Sequence, residues 1–455
     1  MPDTIAAIAT IQAPSAIGIV RLTGPDTRRI LDGVFAPANG RPMSAQTPRK
    51  LVFGRALDRS GGVIDEALAV LFPGPNSYTG EDCAEIHCHG SPVVLDEVLA
   101  AAFARGARQA RGGEFTQRAF LSGRMDLIQA ESVADLIDAE SAGAARNAVG
   151  QLQGRMSRSV GGIYDALMDV VSRFYAIVDY PDEEIEPLQQ AQIEQTLAES
   201  AERLDALLAT FSRGRLLKSG VPAVILGKPN AGKSSLLNAL LGYDRAIVTD
   251  IAGTTRDTVE EKVLVGSVLL RLCDTAGIRD AADTVERLGV ERAQQAAQRA
   301  ELALLVLDGS APLTREDEEA IAAARRARRM LVLVNKADLP QVLDTAALRV
   351  RFGEVILLSA RSGAGVDALC RAVEELFVGG ETPRGELLTN ARQAESAQRA
   401  LDAVRRAEQA LRSGLSPDAV LTDAEEALEA LAEFSGKRVR DDLVATIFSR
   451  FCVGK

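Results

Sequence analysis

The chain has no tryptophan and only two histidines, and aromatic residues make up 4% of its 455 positions. Its cores must therefore be built from Ala, Leu, Val and Ile. No apolar run approaches the roughly 20 uninterrupted residues of a membrane helix, which excludes a spanning segment and any membrane partner. The opening MPDTIAAIAT lacks the basic start and long apolar stretch of a secretion signal. Five cysteines, an odd number without framework spacing, argue against disulfides and for a reducing, cytoplasmic setting. Basic residues are outnumbered, 52 against 63 acidic, giving a net charge of −11. That excludes coating nucleic acid by bulk charge and leaves only local basic patches. What is present, 47% hydrophobic and 25% charged residues, is globular in composition, and the length suggests roughly three domains.

Residues 1–118 read as mixed α/β. Strand-like runs occur at 4–10, 16–24, 50–58, 66–73 and 83–90, with helical spacing in PDTRRILDGVF and SPVVLDEVLAAAF. From 119 to 219 the pattern is helical, with Ile193, Leu197, Leu204, Leu207, Leu208 and Phe211 on one apolar stripe. The acidic stretch DYPDEEIEP (179–187) reads as a solvated loop. Strand and helix alternate again over 220–378, and 379–455 is helical, with Leu401, Val404, Leu411, Leu428 and Leu431 as core candidates. This order predicts a fold of α/β plus α type. The two helical stretches pack together, and the middle α/β unit is an insertion between them.

VPAVILGKPNAGKSSLLNAL (221–240) is an apolar run, a glycine turn and an amphipathic helix, the context a P-loop requires. In it, Asn230-Ala231-Gly232-Lys233-Ser234-Ser235 are the phosphate contacts. Lys233 reaches the β/γ-phosphates as a catalytic cation, and Ser234 offers its hydroxyl to Mg²⁺. Asp274-Thr275-Ala276-Gly277 follows one apolar run, and Asn335-Lys336-Ala337-Asp338 follows another. A carboxylate at Asp338 accepts from both N1–H and the 2-amino group of guanine, which adenine lacks. Ser359-Ala360-Arg361 supplies the last base contact. This ordered set resembles the signature of Ras-like GTPases, so the expected nucleotide is GTP.

Between these motifs, Thr249-Asp250-Ile251-Ala252-Gly253-Thr254-Thr255 reads as a switch, with Thr255 closing on Mg²⁺ when a γ-phosphate is present; paired threonines that cap a turn are the lesser alternative. Where Ras-type proteins carry a water-orienting Gln, this chain has Ile278. Glu286 is the best acidic replacement; a solvated carboxylate at a helix start accounts for it as well.

TDIAGTTRD after GKPNAGKSSLLN, together with TGEDCAEIHCHG (79–90), GGEFTQRAFLSGRMDLIQAE (112–131) and a C-terminal CVGK, resembles the MnmE (TrmE) family of tRNA-modification GTPases. The resemblance spans essentially the whole chain. It implies an N-terminal α/β domain (1–118) that dimerises and binds a 5-formyltetrahydrofolate-type one-carbon donor. It also implies a discontinuous helical domain (119–219 and 379–455) and an inserted P-loop GTPase domain (220–378). With the FAD-dependent partner MnmG, in a heterotetramer, the family adds a carboxymethylaminomethyl-type group to C5 of uridine 34 of certain tRNAs. The resemblance implies K⁺ held by Asn230, Thr249, Ile251 and Thr254, with Glu286 orienting the attacking water. Asn230 has a plainer reading as a turn residue tolerant of unusual backbone angles. Folate contacts carry over to Arg21, Glu85, Arg124 and Lys455, and Cys452 becomes a catalytic thiol beside that pocket, with an inert terminal cysteine as the alternative. Gly454 and Lys455 suit a prenylation signal poorly.

His87 and His89 alternate with Ile86 and Cys88 in a strand-like run, in a spacing that fits no common zinc pattern. Arg105, Arg108, Arg111, Arg118 and Arg124 lie in a stretch with one acid, Glu114. That stretch is either a basic patch for folate carboxylates or tRNA phosphate, or a solvated helical face. A ribosome-assembly or signalling switch with an accessory N-terminal binding module is the competing function, and it needs neither the folate residues nor CVGK.

Overall fold

Each of the five strand-like runs of the first 90 residues becomes a strand in the computed structural model. The structure describes residues 3–179, 187–243, 261–273, 294–379, 385–438, 447–448, 451 and 453–454. They form two compact units. One comprises 1–134, 151–201 and 399–455, and the other 135–150 and 202–398.

The first unit holds a seven-stranded sheet of β1 (Ile5–Ile8), β2 (Ser15–Thr23), β3 (Phe35–Pro37), β4 (Val52–Leu57), β5 (Val63–Phe72), β6 (Cys83–Gly90) and β7 (Arg108–Gln109). Its order is β3-β4-β5-β6-β2-β1-β7. The pairings are antiparallel except β1 with β7. The short β3 and β7 have no alternation long enough to read from sequence. Because side chains alternate across a strand, Val20, Leu22, Ala84, Ile86 and Cys88 share one face. There they pack with Ile30, Leu31, Val34, Leu95, Val98 and Ala102 of the helices Thr27–Val34 and Pro92–Ala104. Arg21 and Glu85 lie directly opposite each other and turn to the other face. In the same unit the long helix Arg155–Asp179 packs on Pro417–Ser435.

Leu401, Val404, Leu411, Leu428 and Leu431 are buried, as are Ile193, Leu197, Leu204 and Leu207. Leu208 and Phe211 are only half-buried. The helix Pro187–Ala209 stops one residue before the next begins at Phe211, which turns the apolar stripe. Residues 180–186 of the acidic stretch lie outside the described residues.

The second unit holds β8 (Val221–Leu226), β9 (Glu261–Val265), β10 (Val268–Leu272), β11 (Leu302–Asp308), β12 (Arg329–Asn335) and β13 (Val355–Leu357). The order is β13-β12-β11-β8-β10-β9, parallel apart from β9 against β10. The strands β8, β11 and β12 are largely apolar on both faces, as a sheet covered by helices on both sides requires. Ile225, Leu304, Val306 and Leu333 meet the helices Lys233–Tyr243 and Val366–Phe377. Leu226, Leu305, Leu307 and Val334 meet Arg315–Ala324 and Thr345–Phe352 on the other side. A doubly wound sheet of this kind binds ligands beyond the carboxyl ends of its strands. Gly227 and Asn335 stand at such ends. No helix among the described residues is long and apolar enough to cross a membrane.

Candidate functional site

The first functional constellation stands at the strand ends of the second unit. After β8 the chain turns through Gly227–Gly232 into the helix that starts at Lys233. Asn230 takes φ +60°, a left-handed conformation that asparagine tolerates better than most residues. Gly232 takes φ +101°, and a Cβ there would stand 2.1 Å from Asn335 Nδ2, so only glycine fits. Asn335 is a clamp: its Nδ2 donates to Ala231 O at 2.9 Å, and its Oδ1 accepts from Ala360 N at 2.9 Å. One buried side chain thus joins the phosphate loop to the Ser359–Arg361 loop.

Asp338 Oδ1 accepts from Ser359 Oγ at 2.6 Å. That bond, helped by the nearby cations Arg361 and Lys336, holds the carboxyl below its usual range, ready to accept from N–H donors. Lys336 takes φ +63°, and its Nζ meets Asp308 Oδ2 at 2.6 Å. Burial pushes Asp308 up, but hydrogen bonds from Lys336 and Ser310 outweigh it and leave its pKa lowered. Lys233 Nζ donates to Gly227 O and Lys228 O, both at 2.9 Å, and burial lowers its pKa. Two supporting groups escaped the sequence reading, Asp308 and Asp317. Asp317 accepts from Lys228 Nζ at 2.7 Å and closes a capping box with Thr314. The T-x-x-D spacing of that box was the one available signal. Thr249 to Thr255, Asp274 to Gly277 and Glu286 lie outside the described residues.

The second constellation lies on the opposite face of the first unit's sheet, beside the small buried cluster of Ile5, Ala7 and Phe115. Arg21 Nε and Nη2 meet Glu85 Oε1 at 3.0 and 2.9 Å, and Arg21 Nη1 donates to Gly454 O at 3.3 Å. Tyr78 and Phe115 present their rings 5.6 and 5.8 Å from the guanidinium carbon. His87 Nε2 lies 3.1 Å from the other Glu85 oxygen, and His89 Nδ1 2.8 Å from Asp65 Oδ1. Arg124 donates to Ser77 O, beside Tyr78, at 3.1 Å. The C-terminal segment reaches this face because Val453 bridges to Gly112 and because Gly454, at φ +98°, fits where a Cβ would be 2.4 Å from Ile8 O. Cys452 and Lys455 lie outside the described residues.

The arginine-rich stretch is less of a patch than its sequence suggests. Arg118 is buried and pairs with Asp3, Glu81 and Glu114, while Arg108 pairs with Asp3 and Glu114. Two of the acids come from distant sequence. Cys83 and Cys88 are buried free thiols, and among the described residues no group of three His, Cys, Asp or Glu is placed to hold a metal.

A largely parallel sheet with a glycine loop after β8 and an Asn-Lys-x-Asp loop after β12, two strands along the sheet, defines a P-loop protein of the GTPase class. Residues 4–124 match the family model of the GTP-binding protein TrmE N-terminus, and residues 127–452 match that of the MnmE helical domain. The tRNA modification GTPase MnmE of Roseiflexus sp. (strain RS-1) is 45% identical, over 100% of this chain and 99% of its own. The proteins of that name from Chloroflexus aurantiacus and Symbiobacterium thermophilum are 43% and 42% identical, over 100% of this chain and 100% and 99% of theirs. The chain belongs to the MnmE family of tRNA modification GTPases.

Proposed function

We propose that this GTPase, as a cytoplasmic homodimer working with FAD-dependent MnmG, couples GTP hydrolysis to the addition of a carboxymethylaminomethyl-type group at C5 of wobble uridine in tRNA. In this reading residues 220–378 are the GTPase domain, inserted into a helical domain of 119–219 and 379–455. Residues 1–118 bind a reduced folate, which supplies the one-carbon unit when bound. Lys233 meets the β/γ-phosphates, Ser234 and Thr255 hold Mg²⁺, and Asp338 reads guanine. Asn230, Thr249, Ile251 and Thr254 hold K⁺, and Glu286 orients the attacking water.

Arg21, Glu85, Arg124 and Lys455 hold the folate, with Cys452 beside it. The residues present suit that ligand: cations for its carboxylates, a carboxylate for pterin N–H groups, and two rings beside Arg21. One observation carries the one-carbon part of this reading. Arg21 reaches both the sheet carboxylate and the carbonyl of Gly454, so the C-terminal segment closes on the polar face. A plain switch has no use for that closure.

The test is mass analysis of wobble uridines in a deletion strain. Wild-type protein restores the modified nucleoside and Arg21→Ala does not, while the purified variant keeps its GTP turnover. Unchanged uridines in the deletion strain refute the reading.

A further inference from the structure

We propose that Asp317 is a positioning residue for the nucleotide, acting through Lys228 on the ammonium of Lys233; the inference rests on Lys233 as the phosphate contact. Asp317 stands in the first turn of the helix Arg315–Ala324 and is 1% exposed. Its Oδ2 accepts from Thr314 N and Thr314 Oγ1, both at 2.8 Å, and from Lys228 Nζ at 2.7 Å. Its Oδ1 is buried and meets no donor.

A helix cap needs only the first of these contacts. It does not need a lysine drawn out of water, for the desolvation of a buried ion pair often cancels its attraction. The pair makes sense from the other end of Lys228. That residue follows Gly227 in the phosphate loop, and its carbonyl is one of the two that grip Lys233 Nζ. Lys228 is therefore fixed by its side chain to a helix and by its carbonyl to the phosphate-binding lysine and to Ala231 N. The helix is a firm anchor because Ile321 and Ala324 are locked into the core beneath it. With the tether cut, the Lys228 carbonyl keeps a long hydrogen bond from Ala231 N, at 3.3 Å, but the peptide loses its anchor to the helix, and the place of the Lys233 ammonium loosens with it.

The readout is the release of fluorescent methylanthraniloyl-GDP from the full chain, with thermal melting alongside. Asp317→Asn and Lys228→Met release it about tenfold faster, the effect of weakening roughly one charge-assisted hydrogen bond to the nucleotide. Lys228→Arg, which keeps a cation for the carboxylate, releases it as wild type does. A merely structural pair would lower the melting temperature and leave release unchanged. Lys228→Met keeps the Thr314 cap and carries the test if Asp317→Asn does not fold. Wild-type release in folded Lys228→Met overturns the proposal. Lys233→Ala tests the underlying reading: normal nucleotide affinity there would overturn both, whereas lost affinity there with wild-type release in Lys228→Met overturns this one alone.

Discussion

In the six-stranded sheet the polar groups gather just beyond the strand ends, largely on main-chain atoms and side chains set by backbone shape, with the ion pairs Lys228–Asp317 and Lys336–Asp308 supporting them. In the seven-stranded sheet they sit in mid-strand, where Arg21 faces Glu85 across a register pair. Asn230 and Lys336 take left-handed backbone angles, and the Asn335 side chain bonds to peptide groups of two loops. Arg21, Arg108 and Arg118 are held instead by carboxylates that the fold brings from elsewhere, Asp3 and Glu81 among them. A site made of backbone shape is written in consecutive residues. A site made of paired charges depends on register and on distant segments.

The sharpest way to probe the first kind is Asp338→Asn. Two hydrogen bonds from guanine to a charged acceptor, at about 1.5 kcal/mol or more each, predict roughly a 100-fold loss of GTP affinity. Xanthosine triphosphate, whose 2-oxo group suits an amide donor, gains in exchange. Competition binding reads both, and an unaltered preference for GTP would refute the base contact.

The second kind breaks through stability. Arg118→Met takes a buried guanidinium from Glu114 and Glu81, with an expected cost of about 3 kcal/mol in urea unfolding. GTP affinity stays as it was. The same cluster sets an acid limit. Burial alone pushes Glu114 up, but hydrogen bonds from Arg108 and from the Arg111 N–H outweigh it and hold the pKa at about 2, against an ordinary 4.5. A folded pKa below the unfolded one means that the stabilisation is complete above about pH 4.5 and is lost as pH falls towards 2. Glu114→Gln should flatten that decline in melting experiments between pH 5 and 2. The smallest effect belongs to a solvated pair, Lys262 with Glu140 at 2.6 Å. Lys262→Met should cost about 0.5 kcal/mol or less, and a larger loss would show that exposed charges hold this protein as its buried ones do.

The same contrast explains what could be read from residues alone. Short strand-like runs between Pro- and Gly-rich loops marked β1, β2, β4, β5 and β6, and VPAVIL followed by a glycine turn marked β8 and its loop. The three-residue β3 and two-residue β7 carry no period and exist because neighbours offer them a ladder. Arg118 read as a surface charge because the acids that bury it, Asp3 and Glu81, are 115 and 37 residues away. Asn335 was legible as part of a nucleotide motif because that motif is local, yet its clamp on Ala231 spans 104 residues and needed the sheet to appear. Asp308 and Asp317 were missed for the same reason: their lysines are 28 and 89 residues distant.

Burial pushes the thiols of Cys83 and Cys88 up to about 12. Only about one molecule in 10⁴ or fewer carries either thiolate near pH 7 to 8, so alkylating reagents and peroxide pass both by while the sheet is closed. Both lie on β6, which is paired on each side, by β5 and by β2. The strand therefore keeps its own time: the two sulfurs become reactive no faster than the ladder around them opens, and their modification rate counts those openings.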